Sequence, residues 1–392
     1  MPVVNRIAAF HTAMAEWRHD IHEHPELAYQ EARTAGRVAE LLKEFGIDEV
    51  AEGIGKTGVV GVIRNGEGPS LGLRADMDAL PIHEETGLSY QSRHNGVMHA
   101  CGHDGHTAML LGAARYLSET RKFAGTVVLV FQPAEEGFAG ARAMIDDGLF
   151  ERYPVDSIYG VHNMPGLPTG TIALSPGPVM AAADSFTITV QGKGGHGAMP
   201  HLAVDPVVAA SAMVSALQSL VSRELDPTKT LVISVTRIHG GDAFNVIPDT
   251  VELGGTVRYF DDEVGTRTQA RMHAIIDGVA AAHGVTASMT YDVGYPATRN
   301  HQSETDFARE VAAEVLGSEA TEQRPTMGSE DFSFFLEAKP GAYAFVGNGD
   351  GADCVTVHNP KYDFNDEILP VGASFFARLV ETALPRRVSD AA

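Results

Sequence analysis

The sequence predicts an α/β protein: a mixed or parallel sheet with helices on both faces, interrupted by an inserted ferredoxin-like βαββαβ unit. Three observations predict it. The amino-terminal part alternates helix-period and short strand-like apolar segments. From Ser185 the pattern changes to strands that alternate apolar and polar residues, in the order β-α-β-β-α-β. Beyond Pro296 the first pattern resumes.

Taken in order, residues 11–28 (HTAMAEWRHDIHEHPELA) and 31–47 (EARTAGRVAELLKEFGI) carry apolar side chains at helical spacing, the second meeting Gly46 as a C-cap. Residues 57–64 (TGVVGVIR), 70–77 (SLGLRADM) and 125–136 (GTVVLVFQPAEE) read as buried strands, with a helix over 106–119 between the last two. Strands alternating with helices of this length imply a sheet covered on both faces. The inserted block runs from a strand over 185–194 through a helix over 205–225 to strands over 230–238 and 250–260. A helix over 263–284 and a strand over 286–293 complete it. That order is the split-βαβ arrangement. The expected domains are 1–182 and 295–392, forming one catalytic domain in two segments, and 183–294 as the insertion, with pivots near 180–184 and 294–298.

At 392 residues the chain is long enough for two or three cores. Lysine plus arginine minus aspartate plus glutamate is 29 − 51 = −22. A surface this acidic repels phosphate backbones and anionic lipid, which argues against nucleic acid and membrane surfaces as partners. No apolar run approaches the ~20 residues of a bilayer span, and the amino terminus lacks a signal-peptide profile. Two cysteines, Cys101 and Cys354, make no disulfide framework, so a cytoplasmic location is expected.

The stretch VMHACGHDGHTA (97–108) gathers His99, Cys101, His103 and His106. Cys101 and His103, one glycine apart, can reach one metal or two neighbouring metals from a loop; a surface histidine loop around an inert buried cysteine is the alternative. The strand at 125–132 delivers Glu135 and Glu136 to its carboxyl end, where sites in open α/β sheets lie. Adjacent side chains diverge, so one glutamate can ligate while its neighbour stays free as a general base. A solvated acidic turn is the competing reading. His162 follows an apolar strand, and His358 follows the β-branched run CVTV in the same way. Cys101 with His103, Glu136, His162 and His358 thus all lie at the ends of apolar segments of one domain. One thiolate, one carboxylate and three neutral imidazoles carry about two negative charges, so two divalent cations leave a strongly polarising net charge. A single structural zinc needs only four ligands and no free glutamate beside it.

The motifs MHACGHDGHTA, FQPAEEG, GVHNMPG, GKGGHGAMPH, NVIPD and VHNPKYDFND, in this order, resemble the amidohydrolase branch of the aminoacylase and carboxypeptidase-G metallopeptidase family. Hippurate hydrolases, N-acyl-amino-acid deacylases and auxin-conjugate hydrolases belong to that branch, and the similarity spans nearly the whole chain. The resemblance implies a zinc-peptidase-like catalytic domain and an inserted dimerisation domain. It implies Cys101, His103, Glu136, His162 and His358 as ligands of two divalent metal ions, and Glu135 as the general base acting on a metal-activated water. It further implies that His196 reaches the partner subunit's active site to bind the scissile carbonyl, that Asn245 binds near it, and that Arg258 pairs with a substrate carboxylate. A turn histidine, a turn asparagine and a strand arginine in a surface salt bridge are the structural alternatives. A homodimer, or a tetramer built from it, is implied as well.

The chain departs from the peptidase branches of that family at RADMDALP, where Asp76 stands in place of a histidine. Asp78 keeps the place of the orienting aspartate and is expected to orient a ligand imidazole. The thiolate favours zinc, whereas relatives in this branch are assayed with manganese, cobalt or nickel, so the metal stays open. The expected reaction is hydrolysis of an N-acyl amino acid. A dipeptidase or carboxypeptidase using the same centre, and an inactive metal-binding dimer, are the alternatives. Met327, Phe332 and Phe335 beside Glu330 are candidates for an acyl pocket or for the start of a core helix capped by Ser329, and Cys354 reads as a buried strand residue.

Overall fold

The structure, a computed structural model, describes residues 3–351 and 354–386. Tertiary contacts divide it into two units: Met1–Val179 with Arg299–Arg324 and Asp331–Ala392, and Met180–Thr298 with Pro325–Glu330.

The first unit is built on a seven-stranded sheet. In spatial order its strands are Glu49–Ile54, Gly58–Asn65, Gly125–Gln132, Ser70–Asp76, Ser157–Pro165, Gly341–Gly349 and Ile172–Ala173. The four from Gly125–Gln132 to Gly341–Gly349 run parallel; the flanking strands pair antiparallel. Successive side chains of the inner strands are buried, which requires cover on both faces. Three adjacent parallel strands end at Asp76, Gln132 and Pro165, so the chemistry-bearing segments that follow or end them share one edge of the sheet.

The His103–Thr120 helix is apolar on nearly every side and is buried between the Leu369–Ala383 and His11–Glu23 helices. It starts abruptly. Gly102 adopts φ 95°, and a Cβ there would stand 2.3 Å from Asn163 Nδ2 and 2.7 Å from the Tyr362 hydroxyl. Only glycine fits, and His103 becomes the first helical residue.

The His11–Glu23 helix buries two basic groups against that helix. Arg18 Nη1 lies 3.1 Å from Asp104 Oδ2 and 3.2 Å from Asp363 Oδ1, and Nε bonds Asp366. His22 donates to Asp104 Oδ2 at 2.8 Å and approaches Glu84 Oε1 at 3.3 Å. Burial opposes a charge on His22, but its bonds to Asp104 and Glu84 outweigh burial and push its pKa up to about 9. A raised imidazole pKa stabilises the fold fully below about 6.5, and that contribution declines as pH climbs towards 9. The stability measured by urea unfolding is therefore expected to fall as pH rises through that window, by on the order of 1 kcal/mol per pH unit from His22. In His22→Gln the slope flattens; an unchanged slope places the titration elsewhere.

In the second unit the strand order is Leu231–His239, Thr250–Tyr259, Ala182–Gln191 and Thr286–Tyr295, all neighbours antiparallel. Numbered along the chain this is 2-3-1-4, the split-βαβ order. The Ala182–Gln191 strand buries Phe186, Ile188 and Val190 on one face. Against them pack Ala209, Met213 and Leu217 of the Pro206–Ser219 helix and Met272, Ile276 and Ala280 of the Asp262–His283 helix. Asp205 caps the first of these, accepting from Val207 and Val208 N–H with Pro206 at the first helical position, and Asp261 caps the second.

Two expectations fail locally, and of the two readings of residues 327–335 the core-helix one holds without its Ser329 cap. The run before His358 is not a strand: residues 354–356 are irregular, and His358 sits in a turn at φ 64°. Cys354 is half-buried rather than core, its thiol donating to Gly349 O at 2.9 Å. Phe332 and Phe335 are fully buried in a helix over Phe332–Ala338, with Phe332 stacked on Tyr343, and Ser329 does not cap that helix. Their large apolar area is spent on the core.

Candidate active site

Four backbone devices aim the ligating atoms. His103, at the helix start, donates Nδ1–H to the Asp78 carbonyl at 2.9 Å, turning Nε2 inward. His162, on its parallel strand, donates Nδ1–H to the Asn163 carbonyl at 2.6 Å and presents Nε2 3.4 Å from Cys101 Sγ. His358 is pinned by its own N–H, which donates to the Ala100 carbonyl at 2.7 Å, and its Nε2 lies 3.2 Å from Glu136 Oε1. After Gln132 the chain turns through Pro133 and left-handed Ala134 (φ 54°), so Glu135 and Glu136 leave the sheet edge together.

Within the first unit the donors form overlapping groups. Cys101, His103 and His162 make one; Cys101, Glu136 and His358 make another, all donor atoms of each within 4.8 Å of one another. That spacing suits bonds of about 2.0–2.3 Å to a cation between them. Cys101 belongs to both groups. Glu135 lies in a third group with His103 and Glu136, beside the shared sulfur but outside both of its groups. The donor set suits divalent metal ions on a further ground: His103 Nε2 is buried and makes no hydrogen bond among the described residues. Such an atom is costly unless something charged meets it.

The electrostatics carry the same imprint. Burial, followed by the Glu136 charge, raises the Cys101 thiol pKa. Hydrogen bonds to Cys101 and then Glu136 push His358 up to about 10. Burial and neighbouring His106 hold His162 well below the ordinary imidazole range, neutral as a ligand must be.

Asp78 does more than orient an imidazole. Its carboxylate accepts the Glu135 and Glu136 N–H groups, each at 3.0 Å, while its Oδ1 stays 3.3 Å from His103 Nδ1. One residue therefore fixes a ring on the helix and the paired glutamates on the turn.

Two histidines of the opening stretch take other roles. His106 donates Nδ1–H to Asp76 at 2.7 Å, and its Nε2 accepts the Asn163 backbone N–H at 2.9 Å, so neither nitrogen is open to a metal. His99 is fully buried outside the donor groups, with its pKa pushed down to about 4 chiefly by burial. Asn163 was not foreseen: its amide donates to the Cys101 carbonyl at 2.6 Å and its oxygen accepts from Tyr362 at 2.6 Å. The signal was there, in asparagine following both His162 and His358.

His196, Asn245 and Arg258 lie in the second unit. His196 pairs with Val246 in a two-stranded ribbon, where Gly197 N–H donates to the Asn245 carbonyl at 2.8 Å, and both His196 and Asn245 are exposed. Arg258 bonds the Thr256 hydroxyl and, at 3.1 Å, the Val257 carbonyl; it has no ion pair among the described residues.

A covered α/β sheet with thiolate, carboxylate and imidazole donors at its carboxyl edge defines a metallohydrolase. The model of peptidase family M20/M25/M40 matches residues 72–382, and the chain belongs to this family. It is 48% identical over 365 residues to the hippurate hydrolase of Campylobacter jejuni, covering 92% of this chain and 94% of that protein. It is 40% identical over 378 residues to an N-acetylcysteine deacetylase of Bacillus subtilis, covering 96% and 98%. A crystal structure of a dinuclear metal-binding M20 peptidase from Bacillus subtilis superposes with a TM-score of 0.84 at 38% identity, covering 96% of this chain and 99% of that one.

Proposed function

We propose that this chain is a metal-dependent amidohydrolase that cleaves the amide of N-acyl amino acids, releasing a carboxylate and the free amino acid. The observation that carries the reading is the sharing of Cys101 by two donor groups, with a further carboxylate, Glu135, beside them. The relatives supply the substrate class, since hippurate and N-acetylcysteine are both N-acyl amino acids. Cys101, His103, Glu136, His162 and His358 would hold divalent cations, which would supply Lewis-acid chemistry by polarising a carbonyl oxygen and acidifying water. Glu135 takes the proton of the attacking water and hands it to the departing amine. Asp78 keeps the geometry of both steps by holding the glutamate backbones.

The second unit is assigned to dimerisation and substrate binding. Among the described residues, the large exposed apolar side chains other than Phe138 fall there, including Leu202, Val208, Ile238, Phe244 and Val246. Exposed apolar side chains concentrated in one unit support an interface there. His196 would then bind the substrate's scissile carbonyl or its oxyanion in the active site of the partner subunit, with Asn245 near it. The half-buried Arg258 guanidinium, without an ion pair, would take the substrate carboxylate bidentately.

The test is a substrate panel on protein stripped by a chelator and reloaded with zinc, manganese, cobalt or nickel. Release of free amino acid from acetyl, succinyl, benzoyl or indoleacetyl conjugates, abolished by stripping, is expected. Cleavage confined to dipeptides would move the assignment to an exopeptidase. No turnover with any metal would leave an inactive metal-binding dimer.

A further inference from the structure

The turn that carries both glutamates is held from three distant parts of the chain by buried acids. Ala134 N–H donates to Glu31 Oε1 at 2.9 Å, and the next two N–H groups go to Asp78. Asp331 donates its own N–H to Glu135 Oε1 at 3.4 Å. Glu31 and Asp331 are both fully buried. Each is anchored in turn. Thr57 donates its hydroxyl to Glu31 Oε2 at 2.6 Å. The Asp331 carboxylate accepts from Gln132 Nε2 at 2.8 Å, Arg74 Nη2 at 3.2 Å and Ala141 N–H at 2.9 Å.

This arrangement is expensive as scaffolding. Three carboxylates are placed around a turn that already carries two more, where like charges repel and desolvation penalises each. An apolar packing would hold a turn at lower cost. What Glu31 and Asp78 supply and apolar groups cannot is a set of directional acceptors for three consecutive N–H groups, while Asp331 instead donates its own N–H to the Glu135 carboxylate. The acceptors are needed because Ala134 sits in the left-handed region, a strained conformation for a non-glycine residue that its surroundings must fix.

We propose that Glu31 and Asp331 are positioning residues for Glu135, Glu31 by locking the Ala134 backbone and Asp331 by orienting the Glu135 carboxylate through its N–H. The assignment rests on Glu135 as the general base. It makes the base part of a rigid construction reaching from residue 31 to residue 331, rather than a side chain on a loose turn.

The experiment compares Glu31→Ala, Glu31→Gln, Asp331→Asn and the milder Thr57→Val in metal-loaded protein, reading metal content, amide exchange of the 133–137 segment, kcat and KM. Glu31→Ala is expected to keep its metal, exchange faster over that segment and lose about 10- to 100-fold in kcat with KM unchanged. Glu31→Gln, which retains an acceptor for Ala134 N–H, restores most of both; Thr57→Val gives a smaller loss of the same kind. Asp331→Asn, which weakens the Arg74 anchor, lowers kcat at constant KM. The proposal is overturned if exchange stays as in the parent, if Gln and Ala at position 31 behave alike, or if metal departs in step with kcat. Exchange needs no turnover. A parent that hydrolyses no N-acyl amino acid would end the functional reading while leaving the holding of this turn measurable.

Discussion

Glu135→Gln is expected to retain the parent's metal content and lose about 10²–10⁴-fold in kcat, the usual worth of a positioned general acid–base. The substitution preserves size and the backbone bond to Asp78, but an amide cannot accept and return a proton. The neighbouring variant gives the opposite signature. Glu136 shares a donor group with Cys101 and His358, whereas Glu135 lies outside both Cys101 groups. Glu136→Gln should therefore lose metal first and activity as a consequence, and added metal should recover part of the rate. Metal analysis of the two purified variants beside their kcat values decides between the roles. If Glu135→Gln comes out of purification short of metal, Glu135 is a ligand through its contact with His103 and Glu136, and the division of labour fails.

The placement of the two glutamates at the sheet edge was legible in the sequence because it is written in short range. A strand of buried residues, a proline and two adjacent acids put the pair at a sheet edge whatever the rest of the chain does. The same holds for Cys101 and His103, which share one helix start, and for the βαββαβ order, which needs only the switch of period at Ser185. What could not be read is what depends on contacts far apart in sequence. Glu31 and Asp331 look like ordinary acids of a helix start and a loop, and become site residues only when the Ala134 turn lies between them. His358 shows how tertiary contact overrides propensity. The β-branched CVTV run favours a strand, yet the bond from His358 N–H to the Ala100 carbonyl draws the chain into a left-handed turn beside Cys101. Phe332 and Phe335 fail as pocket residues for a related reason: sequence shows their size, not which surface they cover.

Cys101→Ser carries the other large effect, and it tests the centre rather than the base. Cys101 is the donor common to the His103–His162 and Glu136–His358 groups, so its loss weakens two positions at once. A serine hydroxyl stays neutral where a thiol can ionise, which would cut the anionic donors from two to one. Oxygen also forfeits the preference of sulfur for zinc. Metal affinity should fall by more than the about 10- to 100-fold that loss of an outer hydrogen-bond partner costs, and the chain should purify with one metal ion or none. The pH dependence separates this from a general loss of packing. Burial and Glu136 keep the Cys101 thiol protonated without a cation, so binding expels a proton and parent affinity steepens as pH rises. The serine variant gives up the thiol's share of that proton dependence, while the share of His358 and the His22 titration of stability persist. Two metals per chain retained by Cys101→Ser, at parental affinity and pH slope, would mean that the sulfur is a packed core atom and that the cations, if they bind, are held by His103, His162, Glu136 and His358 alone.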